Sequence, residues 1–336
     1  SVPTTSCQHD LASVIYEELQ KIGATNVYYD KDTCVVYGSL EANVKSGRAI
    51  GFVAHMDTAP DASGKDVKPW VLENYDGNDI VLNKEKDIVM SPSVFPNLKQ
   101  YIGQDLILTD GTTLLGGDDK ASIAAVMTLL EYLVKHPEIK HNFISVAFTP
   151  DEEVSGLAKD LDLERFKSPI AYTLDGDHLG YYMDETFNAS LSTIEIHGIS
   201  VHTATAKGIM KNAVDIGNAF LNKLPALEKP QYTQGREGFY HVVSFNGDCE
   251  YAKIEINVRD HDSLQFDIRN NTLKMIVDML NKEYGQGTVN ITQRIQYRNL
   301  KEAIDQVPFM IPYLKQAIES VGLTPQTEPF RGGTDG

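Results

Sequence analysis

The stretch Ala49-Ile-Gly-Phe-Val-Ala-His-Met-Asp57 decides the fold class of this chain. Its first six residues are a continuous apolar run, which is typical of a strand buried on both faces of a parallel sheet. The run leads directly into His55, and Asp57 follows two residues later. Because residues i and i+2 of a strand share a face, Asp57 could accept the second imidazole N–H of His55 and orient the ring. The structural alternative is a core histidine followed by a turn-forming aspartate, and the motif is weak by itself.

Further strands and helices alternate along the first half of the chain. Apolar runs predict strands at residues 143–149 and 170–174. Helical spacing of apolar residues predicts helices at residues 10–22, 121–135 and 157–166. This order predicts an α/β fold with a mainly parallel central sheet flanked by helices.

The character of the sequence changes near Asp184. Apolar and polar residues alternate at residues 191–197 and 252–258, which predicts strands. Helical spacing of apolar residues follows each of these stretches, at residues 212–224 and 272–281. They predict a smaller inserted α+β domain of the split βαβ type at residues 187–298. Met275 and Met279 lie one helical turn apart and are expected in its core rather than in a binding stripe.

The rest of the chain is expected to form the larger domain, with residues 1–186 as its first part and residues 299–336 returning to it. A helical pattern after residue 300 is interrupted by Pro308 and Pro312, which predicts a break.

Composition excludes several classes of protein. The 336 residues carry 30 basic and 47 acidic side chains, a formal net charge of −17, so the surface disfavours nucleic acid and anionic membranes. No apolar run reaches the ~18 residues of a spanning helix. The cysteines are few and unpaired in spacing, which argues against a disulfide scaffold and predicts a reducing, cytoplasmic location; they are Cys7, Cys34 and Cys249.

Acidic motifs follow the predicted strands or turns at three further places. They are Gly117-Asp118-Asp119-Lys120, Pro150-Asp151-Glu152-Glu153 and Leu174-Asp175-Gly176-Asp177. Ligands of open α/β sheets bind outside the carboxyl ends of the strands, so these acids are expected to converge on one rim with His55. Imidazole and carboxylate ligands without thiolate suit Zn, Mn or Co. Two such cations with a spare carboxylate form a device for hydrolysis.

Each acidic motif also has a structural alternative. Asp118 or Asp119 could cap the helix that follows, and only one of the two is expected to point into the site. Asp151 taken alone is expected in a solvated acidic loop.

The other two motifs leave similar choices open. Glu152 and Glu153 diverge in an extended chain, so one could ligate a metal while the other acts as a general base. The two acids around Gly176 could form a hydrophilic turn, and in the functional interpretation Asp175 is the ligand because it lies nearest the strand.

Longer stretches surround these motifs, and they carry a family resemblance. They are His55-Met-Asp-Thr-Ala-Pro-Asp61, Glu73-Asn-Tyr-Asp-Gly77, Thr109-Asp-Gly-Thr-Thr-Leu-Leu-Gly116, Phe148-Thr-Pro-Asp-Glu-Glu153, Glu237-Gly-Phe-Tyr-His241 and Arg331-Gly-Gly-Thr-Asp-Gly336. The chain closely resembles the aminotripeptidases of the co-catalytic zinc peptidases, a family that also includes aminoacylases and bacterial glutamate carboxypeptidases. The likeness runs through essentially the whole chain.

The resemblance implies a centre of two Zn²⁺, for which Mn²⁺ or Co²⁺ could substitute. His55 and Asp175 resemble the ligands of one zinc. Asp118 resembles the carboxylate that bridges both zincs, and Glu153 resembles a ligand of the second.

The resemblance also implies roles in catalysis and binding. Glu152 resembles the general base that takes a proton from the attacking water, and Asp57 resembles the partner that orients His55. Arg259 and Arg331 are candidates for holding the substrate carboxylate. His202 resembles a histidine of the inserted domain that helps to polarise the scissile carbonyl.

The activity implied is hydrolysis of the N-terminal residue from short peptides with a free amino terminus, above all tripeptides. The inserted domain is expected to serve as a lid or dimerisation domain, and a homo-oligomer is possible. One alternative is a dipeptidase or N-acyl amino acid hydrolase of the same family. Another is a catalytically inactive protein that binds metal and peptide.

Three departures from the family pattern stand out. The last zinc ligand of the family is a histidine beyond the segment that ends at Gly336, so the chain is expected to be cut at that end, and the same is expected at Ser1. His202-Thr203-Ala204 replaces the usual His-Pro-Gly. Ser122 replaces a glycine, and little effect is expected from its small side chain.

Overall fold

The computed structural model describes residues 2–154, 161–176 and 178–334. The chain divides into two compact units, one ending at Asp175 and the other running from Gly176 to Thr334. Each unit has its own sheet and its own buried core.

The first unit is built around a five-stranded sheet. Its elements are α1 (Gln8–Ile22), β1 (Thr25–Asp30), β2 (Val35–Leu40), β3 (Ile50–His55), β4 (Trp70–Leu72), β5 (Ile80–Asn83), β6 (Ile88–Met90), β7 (Leu106–Leu108), α2 (Gly117–Lys135), β8 (Ile144–Thr149), α3 (Leu163–Phe166) and β9 (Ala171–Thr173). The main sheet has the order β1-β2-β8-β3-β9. β4 pairs with β7 and β5 with β6 in two small antiparallel sheets.

The strand directions confirm the prediction of a mainly parallel central sheet. β3 is parallel to β8 and to β9, whereas β2 is antiparallel to both of its neighbours, β1 and β8. Four of the five strands therefore point the same way. β2 is reversed because a tight turn joins it to β1, in which the Asp30 carboxylate accepts hydrogen bonds from the N–H groups of Asp32 and Thr33.

Helices cover both faces of the main sheet. Leu130 of α2 shares a buried core with Ala54 of β3 and with residues of α1. Phe166 of α3 packs with Val53, the neighbouring residue of β3, in a second core. Because adjacent residues of β3 are buried on opposite faces, the apolar run that leads into His55 is the doubly covered strand that its sequence predicts.

One predicted helix is only partly described. The prediction covers residues 157–166, of which residues 157–160 lie outside the described residues. α3 forms the end of that stretch, and the Asp162 carboxylate caps it by accepting from the N–H groups of Glu164 and Arg165.

The second unit contains a four-stranded antiparallel sheet with helices on one face. Its elements are β10 (Asn188–His197), α4 (Ala213–Leu221), β11 (Phe239–Gly247), β12 (Tyr251–Asp260), α5 (Ser263–Tyr284), β13 (Val289–Tyr297), α6 (Lys301–Ile304) and α7 (Met310–Ser320). The strand order β11-β12-β10-β13 and the chain order β-α-β-β-α-β form the predicted split βαβ arrangement. The two central strands were predicted, whereas the half-exposed edge strands β11 and β13 carry polar residues and were missed.

The last described residues belong to the second unit. The backbone N–H of Tyr182 donates to the carbonyl of Gln326, and that of Phe330 donates to Glu185, so the stretch after α7 is bound to the stretch before β10. The expected return of residues 299–336 to the larger domain stays a prediction. The expected break lies between α6 and α7, while Pro312 is tolerated in the first turn of α7, where N–H groups have no partner within the helix.

The methionines of α5 do not lie in the core, so that prediction was wrong. Met275 is 63% exposed and Met279 is 47% exposed. The buried face of α5 is formed instead by residues such as Leu273 and Leu280, which point to the other side of the helix. Among the described helices, none combines the length and the apolar character that crossing a bilayer requires.

Candidate metal centre

His55 lies at the carboxyl end of β3 and is the centre of the site. Its imidazole is almost fully buried, and Nε2 lies 2.9 Å from Asp118 Oδ1 and 3.9 Å from Asp175 Oδ2. Nδ1 lies 3.3 Å from Asp57 Oδ1. The ring therefore meets two acids on one side and the predicted orienting aspartate on the other.

Asp57 connects His55 to the glutamate pair. The side chain is buried, and its two oxygens accept hydrogen bonds from the backbone N–H groups of Glu152 and Glu153, each at 3.0 Å. Burial acts to raise the pKa of Asp57, but His55 and these two N–H groups outweigh it and hold the pKa below its usual value. Asp57 thus places a negative charge beside the imidazole and holds the start of the glutamate loop through two hydrogen bonds.

Asp118 and Asp119 diverge at the start of α2, as predicted. The Asp118 side chain is 65% exposed and reaches His55 Nε2, whereas Asp119 is buried and accepts a hydrogen bond from the His55 backbone N–H at 3.1 Å. Neither has helical backbone angles, and no side chain caps α2, so the capping alternative was wrong. Burial raises the pKa of Asp119 to about 6, although the hydrogen bond from the His55 backbone N–H acts to lower it.

The acidic motifs form overlapping groups that could hold metal ions. In each group the ligand atoms of three side chains lie within 4.8 Å of one another. The groups are His55 with Asp118 and Glu153, His55 with Glu152 and Asp175, and Asp118 with Asp119 and Asp175. All of these residues lie in the first unit. The structure therefore brings together the four predicted metal ligands and also places Glu152 within reach of an ion.

The electrostatics of the site fit a divalent cation. Burial alone lowers the pKa of the His55 imidazole, but Asp57, Asp119 and Asp175 raise it to about 10. The carboxylates thus favour a positive charge beside the ring. A metal ion would take the place of this proton, which is the exchange expected of a metal-ligating histidine. The donor set is imidazole nitrogen and carboxylate oxygen, which suits Zn, Mn or Co.

Comparison with known proteins places the chain in a family. A family model described as a peptidase dimerisation domain matches residues 185–288. Peptidase T of Clostridium novyi (strain NT) is 48% identical over 335 residues, which cover 99% of this chain and 82% of that protein. The chain belongs to the peptidase T family.

Solved structures share the fold of this peptidase T family member. Aminopeptidase PepT from Bacillus cereus matches with a TM-score of 0.75 and 23% identity, covering 97% of this chain and 80% of that one. A tripeptidase from Staphylococcus aureus matches with a TM-score of 0.74 and 21% identity at the same coverage.

Two residues of α2 contribute to the site but were not predicted to do so. Lys120 Nζ lies 3.4 Å from the carbonyl oxygen of Met56, the residue between His55 and Asp57. The hydroxyl of Ser122 donates to the carbonyl of Leu174, directly before Asp175. Their spacing after Asp118, within about one helical turn, is the sequence signal that could have found them. Ser122 is therefore hydrogen-bonded to the residue before the candidate ligand Asp175, a contact that was not predicted from the sequence.

Asp151 does not lie in a solvated loop, so that expectation was wrong. Its side chain is 4% exposed, and its carboxylate accepts hydrogen bonds from Thr4 and Gln8. A single sequence gives no sign of this contact because the partners are more than 140 residues away.

The predicted substrate-binding residues all lie in the second unit. Arg259 Nη1 donates to the carbonyls of Ser190 and Val258, and its guanidinium lies 5.7 Å from the ring centre of Tyr297. Their binding of substrate stays a prediction.

The other two candidates make local contacts as well. The Arg331 guanidinium donates to the carbonyls of Gly235 and Glu237 and to the Thr233 hydroxyl. His202 Nδ1 accepts a hydrogen bond from the Ala204 N–H at 3.2 Å, so the altered His-Thr-Ala segment forms a local cap. Asp177, the second acid of the last motif, lies outside the described residues.

Proposed function

We propose that this protein is a two-metal aminopeptidase that releases the N-terminal residue from short peptides with a free amino terminus, tripeptides above all. The observation that carries the proposal is the convergence of three separate acidic motifs on the motif that contains His55, in groups whose ligand atoms lie within 4.8 Å of one another. The names of the relatives, peptidase T, aminopeptidase and tripeptidase, support the substrate class.

The residues that would hold two Zn²⁺ are His55, Asp118, Glu153 and Asp175, with Mn²⁺ or Co²⁺ as possible substitutes. Asp118 belongs both to the group with Glu153 and to the group with Asp175, which supports its role as the bridge. When bound, such ions polarise the peptide carbonyl and lower the pKa of a water molecule. Lys120 keeps one positive charge close to this acidic centre, at the carbonyl of Met56.

Glu152 is the residue proposed to move the proton. It takes a proton from the attacking water and gives it to the leaving amine, as a general base and then a general acid. Its backbone N–H is held by Asp57, so the carboxylate starts from a fixed point on the loop. Arg259, Arg331 and His202 are proposed to act on the substrate, the arginines at its carboxylate and the histidine at the scissile carbonyl.

Assays with matched peptides test the proposed function. The protein loaded with zinc or cobalt is expected to cleave an unblocked tripeptide and to leave the N-acetylated form of the same tripeptide intact, because the free amino terminus is recognised. Product analysis by mass spectrometry should show the first residue and a dipeptide. Cleavage of dipeptides or acylated amino acids alone would favour the alternative hydrolase, and metal and peptide binding without turnover would favour an inactive binding protein.

We also propose that two copies of the chain associate through α5. The match to a peptidase dimerisation domain includes this helix. Its outer face carries an apolar stripe of Leu264, Ile268, Met275 and Met279, which are 67%, 46%, 63% and 47% exposed. Their spacing places them on one side of the helix. The proposed occupant of this stripe is the same stripe of a second copy.

The double variant Met275→Glu/Met279→Glu is expected to weaken the dimer by about 100-fold or more, because unpaired carboxylates would be buried at the contact. Sedimentation equilibrium measures the effect. Lys274→Glu, on another side of α5, makes the same change in net charge and should leave the dimer intact. A double variant that remains as dimeric as the control would remove the stripe from the interface.

We propose a cytoplasmic location, supported by three cysteines that are all unpaired in the structure.

A further inference from the structure

The start of the chain is bound to the loop that carries the two glutamates. Asp151 Oδ1 and Oδ2 lie 3.0 and 2.9 Å from the Thr4 backbone nitrogen, and Oδ1 also accepts from the Thr4 hydroxyl at 2.7 Å. Gln8 Nε2 donates to Asp151 Oδ1 at 2.8 Å, and Gln8 Oε1 accepts from the Asp151 backbone N–H at 3.2 Å. The contact is therefore reciprocal and involves both the side chain and the backbone of Asp151.

This contact is buried. Asp151 is 4% exposed and Gln8 is 5% exposed, and Gln8 is the first residue of α1. A buried carboxylate is costly unless hydrogen bonds satisfy it, and the donors here come from Thr4 and Gln8. Since α1 also packs its apolar face into the core of the first unit, the Gln8 donor is held on a packed helix, and Thr4 lies four residues before it.

The backbone at Asp151 links this contact to the metal centre. Asp151 has φ of 61°, the left-handed conformation that few residues other than glycine adopt. The N–H groups of the next two residues, Glu152 and Glu153, donate to Asp57. The turn is thus held on one side by Asp57 and on the other by Thr4 and Gln8. A non-glycine residue persists in this conformation only when its surroundings determine it.

We propose that Asp151, Thr4 and Gln8 form a positioning clamp for Glu152 and Glu153, so that the N-terminal segment is part of the catalytic apparatus. This rests on the proposed function, in which Glu152 moves the proton and Glu153 is a metal ligand. Removal of the clamp lets the turn relax and moves both carboxylates. An error of about 1 Å in such a group can cost about 100-fold in rate.

Gln8→Ala tests the clamp, with Gln20→Ala on the exposed side of α1 as the matched control. At saturating zinc, Gln8→Ala is expected to lower kcat on a tripeptide by about 10- to 100-fold, with KM changed little. Zinc titration should show one of the two ions bound about 10- to 100-fold more weakly, the one held by Glu153, and the other unchanged. Gln20→Ala should behave as the wild type in both measurements.

The outcomes separate the clamp from a merely structural contact. A folded Gln8→Ala protein with wild-type kcat and zinc affinities would overturn the proposal, as would a lower melting temperature without these changes. Where Gln8→Ala does not fold, Thr4→Val, which removes the hydroxyl and keeps the backbone N–H, makes the same test with a smaller expected loss. Failure of the wild type to cleave any tripeptide would instead refute the proposed function, and the zinc titration would still test the clamp.

Discussion

Glu152→Ala is expected to lower turnover of a tripeptide by about two to four decades while leaving the metal content near that of the wild type. The reason is that Glu152 is the proposed carrier of the proton, and its loss leaves the water without a base. The turn would remain in place, because Asp57 binds the backbone N–H groups of residues 152 and 153 rather than their side chains.

Steady-state kinetics and elemental analysis on the same sample measure this effect. Glu131→Ala, on the exposed face of α2, is the matched control and should retain normal turnover. Unchanged turnover in Glu152→Ala would remove Glu152 from its role. Loss of a metal ion together with turnover would make Glu152 a ligand instead, as its group with His55 and Asp175 allows.

The second large effect is expected from Asp118→Ala, which should empty both metal positions. Asp118 is shared between the group with Glu153 and the group with Asp175, and its carboxylate lies 2.9 Å from His55 Nε2. Loss of a residue that only hydrogen-bonds a metal ligand weakens metal binding by about 10- to 100-fold. Loss of Asp118, a proposed ligand itself, should weaken it by more.

Elemental analysis after dialysis against a weak chelator checks this result. Asp66→Asn removes an exposed carboxylate elsewhere in the same unit and should retain two ions. A variant of Asp118 that keeps one tightly bound ion would show that this residue serves one position and does not bridge.

The local pattern of apolar residues was sufficient to predict those strands that are covered on both faces. The apolar run before His55 identified β3, because a doubly buried strand has no polar face to obscure it. The edge strands β11 and β13 were missed because they are only partly buried and polar residues interrupt their apolar ones. The exposure of Met275 and Met279 was missed because apolar spacing on a helix does not say which stripe faces the core.

The clustering of the candidate ligands was predictable because each of them follows the end of a strand or starts a helix, and such ends meet at one rim. What supports these side chains was not predictable from one sequence. Thr4 and Asp151 are 147 residues apart, and Asp119 binds the backbone of His55 from 64 residues away. These are contacts between distant segments, and neither propensity nor spacing contains them.

The central claim is that His55, Asp118, Glu153 and Asp175 surround two metal ions. Crystals of the protein grown with zinc, with diffraction data collected just above and just below the zinc absorption edge, test it most directly. Two anomalous peaks are expected, one bordered by His55 and Asp175 and the other by Glu153, with Asp118 touching both. The account would be contradicted if crystals grown at saturating zinc showed no anomalous peak beside these side chains, or showed peaks only beside other residues.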